Sequence, residues 1–161
     1  MESLLDPILT WMGTWPGAVW LQNSGSAYLI VNAAHILSIG LILGGILPLD
    51  LRLMGFNRST SLAVIGPFLS RVAATGVVLA IATGLWLFSV RPVEYAGNPA
   101  FLAKLGLLGL ALANVLLQHR SRDFQAALRG ARVAMGVRLR AVASAVLWLL
   151  ALVAGRWIGF V

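Results

Sequence analysis

The chain consists of long apolar segments separated by short polar ones. A membrane-spanning helix needs roughly 20 mostly apolar residues to cross about 30 Å of hydrocarbon. Four segments meet this requirement, and they are residues 28–49, 63–90, 101–118 and 141–158. The pattern therefore predicts four membrane-spanning helices that pack as one bundle.

The first 25 residues follow a different pattern, in which apolar and polar positions are mixed. Pro16 and Gly17 interrupt this segment. We predict one or two short helices that lie flat on the outer membrane surface, either as an anchor or as a lid over an outward-facing site. The apolar side chains expected to face lipid or the bundle are Leu4, Leu5, Ile8 and Met12.

The composition supports a membrane location. Of the 161 residues, 60% are hydrophobic and 11% are charged, and the mean hydropathy is +0.91. A soluble domain of this size would have too little polar surface to cover itself. We therefore predict an all-α fold in contact with the lipid bilayer. Residues 1–161 form a single integral membrane domain, a four-helix bundle whose N-terminal residues 1–25 form the interfacial segment.

The basic residues are concentrated between the third and fourth predicted spans, in residues 119–140. They are Arg120, Arg122, Arg129, Arg132, Arg138 and Arg140. Basic residues near span ends are retained on the cytoplasmic side of a membrane, and the first loop, with Arg52 and Arg58, falls on the same side. Most tryptophans fall at the opposite end, where amphipathic rings settle at the interface. The sequence predicts a bacterial inner-membrane protein with both termini in the periplasm.

The basic loop has a further interpretation. Residues 121–140 are compatible with a basic helix whose apolar face includes Phe124 and Met135. Such a helix would rest on anionic lipid of the inner leaflet, or would provide a docking site for a cytoplasmic partner. A net charge of +7 also occurs in nucleic-acid-binding proteins, but they gather their arginines on a folded polar face. Here the arginines flank hydrophobic spans, so we expect no nucleic-acid partner.

Small residues recur at four-residue spacing within the predicted spans. Such steps let helix backbones approach closely in a bilayer. The sequence therefore predicts that helices pack at these positions, which are Gly40, Gly44, Gly76, Ala80, Gly84, Gly109 and Ala113.

Few polar residues lie within the predicted spans, and His35 is the most informative of them. Ionisable groups inside a membrane are costly and usually face the bundle interior. Asn32 and Ser38 share the helix face of His35 and are placed to hold the tautomer of its imidazole. His35 is therefore a candidate metal ligand, a hydrogen-bond partner of a quinone, or part of a proton path. The alternative is a structural histidine whose hydrogen bonds are satisfied within the bundle.

Two cationic residues complete this first candidate site. Lys104 either extends outward to the interface or donates to an anionic group, such as a haem propionate or a quinone oxygen. Arg71 lies a few residues inside the second span, where it either pairs with Asp50 or steadies an anionic group. The candidate cofactor-binding residues are His35, Asn32, Ser38, Lys104 and Arg71, and the candidate cofactors are haem b and a quinone.

A second polar cluster is predicted at the cytoplasmic ends of the spans, formed by Asp50, Arg52, Asn114 and His119. At 1.5 Å per residue, the rings of His35 and His119 differ in depth by about 20 Å. Two histidine ligands of one iron must lie at nearly the same depth. The spacing therefore argues against a haem that both histidines ligate, and leaves His35 as the metal-ligating candidate.

Three segments follow one another between residues 35 and 119: HILSIGLILGGILPLDLRLMG, TGLWLF and NPAFLAKLGLLGLALANVLLQH. In this order they resemble the recurring blocks of an uncharacterised family of bacterial four-span membrane proteins, defined as a domain of unknown function. The resemblance implies that the family's recurrent polar positions are occupied here by His35, Asp50, Arg52, Lys104, Asn114 and His119. The family often has an acidic residue one turn before the histidine. This chain has Asn32 there, which argues against a proton-relay role for that stripe.

A looser similarity extends to copper-resistance protein D-like domains and to HemJ-type protoporphyrinogen oxidases. That similarity implies haem or copper chemistry. Copper would need soft ligands near His35, but Met12, Met54 and Met135 lie in three different segments. Zinc needs three or four ligands, which two distant histidines cannot supply.

Two functions follow from these observations. The first is a b-type haem- or quinone-linked redox protein that uses His35. The second is a non-catalytic accessory or structural subunit of a larger membrane complex or a homo-oligomer. The chain contains no cysteine, which removes disulfides and thiolate ligands from consideration. The sequence names no substrate and no redox partner.

Overall fold

The computed structural model describes residues 6–56 and 61–160, which are helical apart from short connections. The predicted all-α fold is confirmed. The helices are α1 (Asp6–Met12), α2 (Pro16–Asn23), α3 (Gly25–Met54), α4 (Leu62–Phe88), α5 (Pro92–Gly97), α6 (Pro99–Arg120), α7 (Arg122–Leu128) and α8 (Met135–Trp157), and a 3-10 turn, Ile158–Phe160, follows α8.

Helices α3, α4, α6 and α8 are each long and apolar enough to cross a membrane. Many of their large aliphatic side chains are exposed, which suits contact with lipid. This is the architecture of a multi-pass membrane protein. Helix α3 packs along α4 and α8, and α8 also packs along α6. Helices α4 and α6 make little direct contact, and both line the interior space between them.

The two ends of the bundle differ in their side chains. The tryptophan end comprises α1, α2, α5 and residues 157–160, and the arginine end comprises residues 55–56, 61 and 121–134. Because four helices cross the bundle, the first and last described residues lie at the tryptophan end. Arg58, Leu4 and Leu5 lie outside the described residues.

Helix α8 begins at Met135 rather than at residue 141, where the apolar pattern begins. Arg138 and Arg140 interrupt the apolar run in the sequence. Arginine can nevertheless continue a membrane helix when its guanidinium reaches a polar partner. The guanidinium of Arg140 does so, because its Nη1 donates to the carbonyl oxygen of Leu117 on α6 at 3.1 Å.

Specific residues cap the first turns of α3 and α6 and the last turn of α3. Ser24 and Asn98 cap the first turns of α3 and α6 by accepting backbone N–H bonds. Helix α3 ends at Gly55, which has a φ of 109°. The backbone N–H of Gly55 donates to Arg52, and that of Phe56 donates to Leu51. This pair of bonds is a Schellman motif, which turns the chain out of the helix at the arginine end.

The prediction of one basic helix over residues 121–140 is wrong. Helix α7 ends at Leu128, and Gly130 follows with a φ of 96°, a left-handed conformation that stops a helix. Phe124 is fully buried and does not face lipid. It belongs to an apolar cluster with Leu53 on α3 and Val137 on α8. Burial of this ring fixes α7 beneath the bundle at the arginine end.

Helices α3 and α4 approach most closely at Gly45 and Gly76. A Cβ at Gly45 would lie 2.7 Å from the Leu69 carbonyl oxygen, and one at Gly76 would lie 2.7 Å from the Ile42 backbone nitrogen. Nothing lies within 4 Å of the corresponding position at Gly40 or Gly44. The prediction is therefore wrong for these two glycines, since α3 turns their face away from the other helices.

The N-terminal segment forms two short helices, as the sequence predicts, but the break lies at residues 13–15, and Pro16 and Gly17 begin α2 instead of dividing the segment. The indole N–H of Trp15 donates to the Ser89 hydroxyl at 3.0 Å, and that of Trp86 donates to the Gly17 carbonyl at 2.9 Å. The ring of Trp20 packs against Trp86, with the ring centroids 5.9 Å apart. These contacts tie α2 to the end of α4.

Candidate functional site

Two cavities lie within the bundle, and all four spanning helices contribute to each. The His35 cavity, toward the tryptophan end, has a volume of about 310 Å³. The Asp50 cavity, toward the arginine end, has a volume of about 250 Å³. Val77, Leu112 and Trp148 line both, so these three side chains form the wall where the two spaces meet.

His35 is half-buried in α3 and its ring lies against α4. The Thr83 hydroxyl is 2.8 Å from His35 Nδ1 and donates its own proton to the Leu79 carbonyl at 2.7 Å. Since a hydroxyl has one proton, Thr83 accepts from His35, and this network assigns the proton to Nδ1. The carbonyl of Ala80 also interacts with the imidazole. Nε2 is then the ring nitrogen with a free lone pair.

Gly84 makes room for this ring. A Cβ at Gly84 would lie 3.1 Å from His35 Cε1, a distance too short for a comfortable contact. The ring therefore occupies the space that a side chain would fill. Of the glycines predicted to pack helices, Gly84 serves instead to receive His35.

Lys104 reaches the His35 cavity from α6. Its aliphatic stem passes Gly155 of α8, where a Cβ would lie 3.4 Å from Lys104 Cε. In the described part of the chain its ammonium has neither an ion pair nor a hydrogen-bond partner. Lys104 lies close enough to His35 to interact with it electrostatically. The remaining lining is apolar and includes Phe88, Phe101 and Trp148.

The other residues of the first candidate set do not line this cavity. Ser38 is buried, but its hydroxyl donates to the Ala34 carbonyl of its own helix at 2.6 Å. Asn32 is half-buried on α3. Arg71 is exposed on the half of α4 that lies toward the arginine end, away from the His35 cavity. The structure therefore brings together His35 and Lys104, while Thr83 on α4, and not Ser38, contacts His35 Nδ1.

Three of the four residues of the second predicted cluster meet at the Asp50 cavity. Asp50, Asn114 and His119 line it, whereas Arg52 does not. Asn114 donates from Nδ2 to the Arg140 carbonyl at 3.0 Å. His119 is exposed, and its Nδ1 lies 3.0 Å from the Val115 carbonyl. The predicted pairing of Asp50 with Arg71 is wrong, because Asp50 is buried, Arg71 is exposed, and no ion pair joins them within the described residues.

Five residues with hydrogen-bonding side chains that line or position these sites were not singled out from the sequence: Ser70, Thr83, Gln118, Ser144 and Trp148. Ser70, Thr83 and Ser144 are small hydroxyl residues, which are common in membrane helices and carry no signal of their own. Gln118 is adjacent to His119 in the sequence, and its polar side chain at the end of an apolar run was a usable signal. Trp148 differs from the other tryptophans because it lies in the middle of a span.

The lining of the His35 cavity is a poor fit for haem. A haem b brings an iron that needs an axial ligand and two propionates that need cations or donors. His35 can supply the ligand, but Lys104 is the only cationic side chain of the lining. Within residues 6–56 and 61–160 there is also no group of three or more His, Asp or Glu side chains that could hold a metal ion.

Comparisons with protein-family models, with curated proteins and with solved structures find no match to this chain. The resemblance to a four-span bacterial family therefore stays a prediction. The four apolar helices define the chain as a multi-pass membrane protein, and the arguments about its function rest on the two cavities.

Proposed function

We propose that this membrane protein binds a lipid-soluble quinone in the His35 cavity, with His35 and Lys104 as the partners of the quinone oxygens. One observation carries the proposal: an imidazole with a free nitrogen and an ammonium without a partner line the same apolar cavity. The ammonium can donate to a carbonyl oxygen. The imidazole nitrogen can accept a proton from a hydroxyl of the reduced ligand.

The apolar part of the ligand is matched by the rest of the lining. Phe88, Phe101 and Trp148 offer flat faces for a ring, and aliphatic side chains of α4 and α6 surround them. Because α4 and α6 make little direct contact, an isoprenoid tail has a lateral route between them into the bilayer. Such concave apolar sites with a few polar groups are typical of small-molecule binding.

Equilibrium binding of a short-tailed benzoquinol, the reduced form that carries the hydroxyl groups, to the protein in nanodiscs under anaerobic conditions tests the proposal. Lys104→Met should raise the Kd by roughly tenfold or more, since a hydrogen bond to a charged group contributes about 1.5–3 kcal/mol. His35→Ala should raise it by roughly two- to tenfold, since a hydrogen bond to a neutral group contributes about 0.5–1.5 kcal/mol. Thr83→Val should weaken binding less, because it removes only the partner that orients His35. His119→Ala and Arg156→Met are matched controls, as neither residue lines the cavity.

The same preparation distinguishes the other functions. Equal affinity in the wild-type protein, His35→Ala and Lys104→Met contradicts the proposed site. A haem absorbance band that His35→Ala abolishes would favour haem ligation by His35. Purified protein that is colourless and binds no quinone would favour the accessory-subunit hypothesis. That hypothesis is supported by one observation: nothing lies within 4 Å of Cβ positions at Gly40, Gly44, Gly106 and Gly109, which leaves small-residue faces open to another membrane helix.

We further infer that the arginine end faces the cytoplasm, so that both termini are periplasmic and the arginines meet anionic lipid headgroups. The support is the distribution of charge and tryptophan between the two ends. Because the chain has no cysteine, Ser121→Cys introduces a unique thiol at the arginine end. A membrane-impermeant thiol reagent should label it in inverted vesicles but not in intact cells. The reverse pattern would invert the topology.

A further inference from the structure

The Asp50 cavity holds a concentration of buried polar atoms without hydrogen-bond partners. These atoms are Asp50 Oδ2, Ser70 Oγ, Gln118 Oε1 and Trp148 Nε1, and one comes from each spanning helix. All four residues line this cavity. In the described part of the chain only one other such atom occurs, the Nε of Arg138. The unpaired groups are thus a property of this site.

The polar groups around these atoms form hydrogen bonds with other partners, so none of them pairs with the four atoms. Gln118 donates from Nε2 to the Val137 carbonyl at 3.0 Å, which fixes its amide and leaves Oε1 as an acceptor. The Ser144 hydroxyl interacts with the carboxyl group of Asp50, but Oδ2 has no partner. Arg140 directs its guanidinium to the carbonyls of Gly136 and Leu117.

Leaving these groups unpaired would be costly. Each buried polar atom without a partner destabilises the folded protein, and a buried carboxylate without a partner does so more strongly. Asp50 Oδ2 and Gln118 Oε1 are acceptors, Trp148 Nε1 is a donor, and the Ser70 hydroxyl can do both. The missing partner must therefore both donate and accept hydrogen bonds. Water fits this need, since at roughly 30 Å³ per molecule a cavity of about 250 Å³ has room for several.

Other occupants fit the cavity less well. An anion would be repelled by the Asp50 carboxylate. A metal cation would find a single carboxylate, and the Arg140 side chain also lines the space. The position of the cavity favours exchange with water at the arginine end: His119 lines it and is exposed there, and its ring lies 5.0 Å from that of Phe124.

We propose that the Asp50 cavity is a water-filled chamber in which Asp50 exchanges a proton with solvent at the arginine end. The carboxylate takes a proton from a hydronium ion, which leaves water, and returns it by the reverse step. The groups that face Asp50 across the cavity are Ser70 of α4, His119 of α6, and Arg140 and Ser144 of α8; α7 contributes the neutral Phe124. Val77, Leu112 and Trp148 close the chamber toward the His35 cavity. This proposal does not depend on quinone binding.

Infrared spectroscopy tests proton exchange directly, because the chain has only five acidic side chains. Replacing the other four by Glu2→Gln, Asp6→Asn, Glu94→Gln and Asp123→Asn leaves Asp50 alone. These full-length variants in nanodiscs should show a carboxyl C=O band that changes reversibly with pH and shifts within minutes in D2O. Asp50→Asn should remove the band and Asp50→Glu should move it, which keeps the assignment if Asp50→Asn fails to fold. The absence of a titrating, exchanging band overturns the proposal.

Thiol labelling tests the water. Ser144→Cys places a thiol in the lining of the chamber, and Ser38→Cys is the matched control, because Ser38 is equally buried but lines neither cavity. A small hydrophilic thiol reagent should label Ser144→Cys roughly tenfold faster or more, since Ser38→Cys reacts only when the helices open locally. Equal rates for the two variants would show that water does not reach the chamber and would overturn the proposal.

Discussion

Gly45→Ala and Gly76→Ala are each expected to lower the free energy of unfolding by about 1–3 kcal/mol, the usual cost of adding a methylene to a packed interior. A Cβ at Gly45 would lie 2.8 Å from the Ala73 backbone nitrogen, and one at Gly76 would lie 2.9 Å from the Ser38 carbonyl oxygen. Backbone atoms cannot rotate away as a side chain can. The two helices must therefore move apart where these glycines meet the neighbouring backbone.

Gly44→Ala and Gly40→Ala are the controls for this prediction. Nothing lies within 4 Å of a Cβ at either position, so alanine adds no collision. Alanine is favoured over glycine in a helix by about 1 kcal/mol, and these variants should be as stable as the wild type or more so. Unfolding in a detergent titration, followed by circular dichroism, measures all four. Equal stability of Gly44→Ala and Gly45→Ala would contradict the α3–α4 interface described above.

The comparison of Gly44 with Gly45 shows what the sequence could predict and what it could not. Hydropathy predicts the four spans because each apolar segment must be long enough to cross the hydrocarbon core of the bilayer, whatever helices lie beside it. The rotation of each helix depends on which faces meet, and glycines occur on several faces of α3. Four-residue spacing therefore favoured Gly40 and Gly44, while the structure places Gly45 against α4.

The same reasoning separates the parts of the candidate site. His35 and Lys104 could be predicted because ionisable residues in a span stand out against apolar neighbours. The hydrogen-bond partner of His35 could not be predicted, since Thr83 lies 48 positions away on α4 and resembles any other threonine in a helix. The Asp50 cavity shows the same limit. The sequence predicts that Asp50, Asn114 and His119 belong to one polar cluster. Gln118, Ser144 and Trp148 join them only through the packing of three helices.

Trp148 connects the two sites physically. It is buried and lines both cavities, so the proposed quinone site and the proposed proton chamber share a wall formed by Val77, Leu112 and Trp148. A charged or strongly hydrated species would have to be dehydrated to pass this wall. Under the two proposals, these side chains would separate water at the arginine end from the ring of a bound quinone, and both sites would depend on the same side-chain packing.

Phe124→Ala is expected to lower the free energy of unfolding by about 3–5 kcal/mol, the range found when a buried aromatic ring is removed. Phe124 is fully buried in an apolar cluster with Leu49, Leu53 and Val137, and it also lines the Asp50 cavity. Its loss should both loosen α7 and widen the opening of the chamber. Combining Phe124→Ala with Ser144→Cys should therefore accelerate thiol labelling by roughly tenfold or more, because the reagent, which is larger than water, would enter the chamber through a wider opening.

Phe56→Ala is the matched control for this prediction, because Phe56 lies at the same end of the bundle but is 63% exposed. It should change stability by less than about 0.5 kcal/mol, as surface substitutions usually do, and leave the labelling rate of Ser144→Cys unchanged. Detergent titration measures the first effect and the thiol reaction the second. If Phe124→Ala destabilises the protein without accelerating labelling, the ring supports the core and does not close the chamber. If it does neither, α7 is not anchored by this ring.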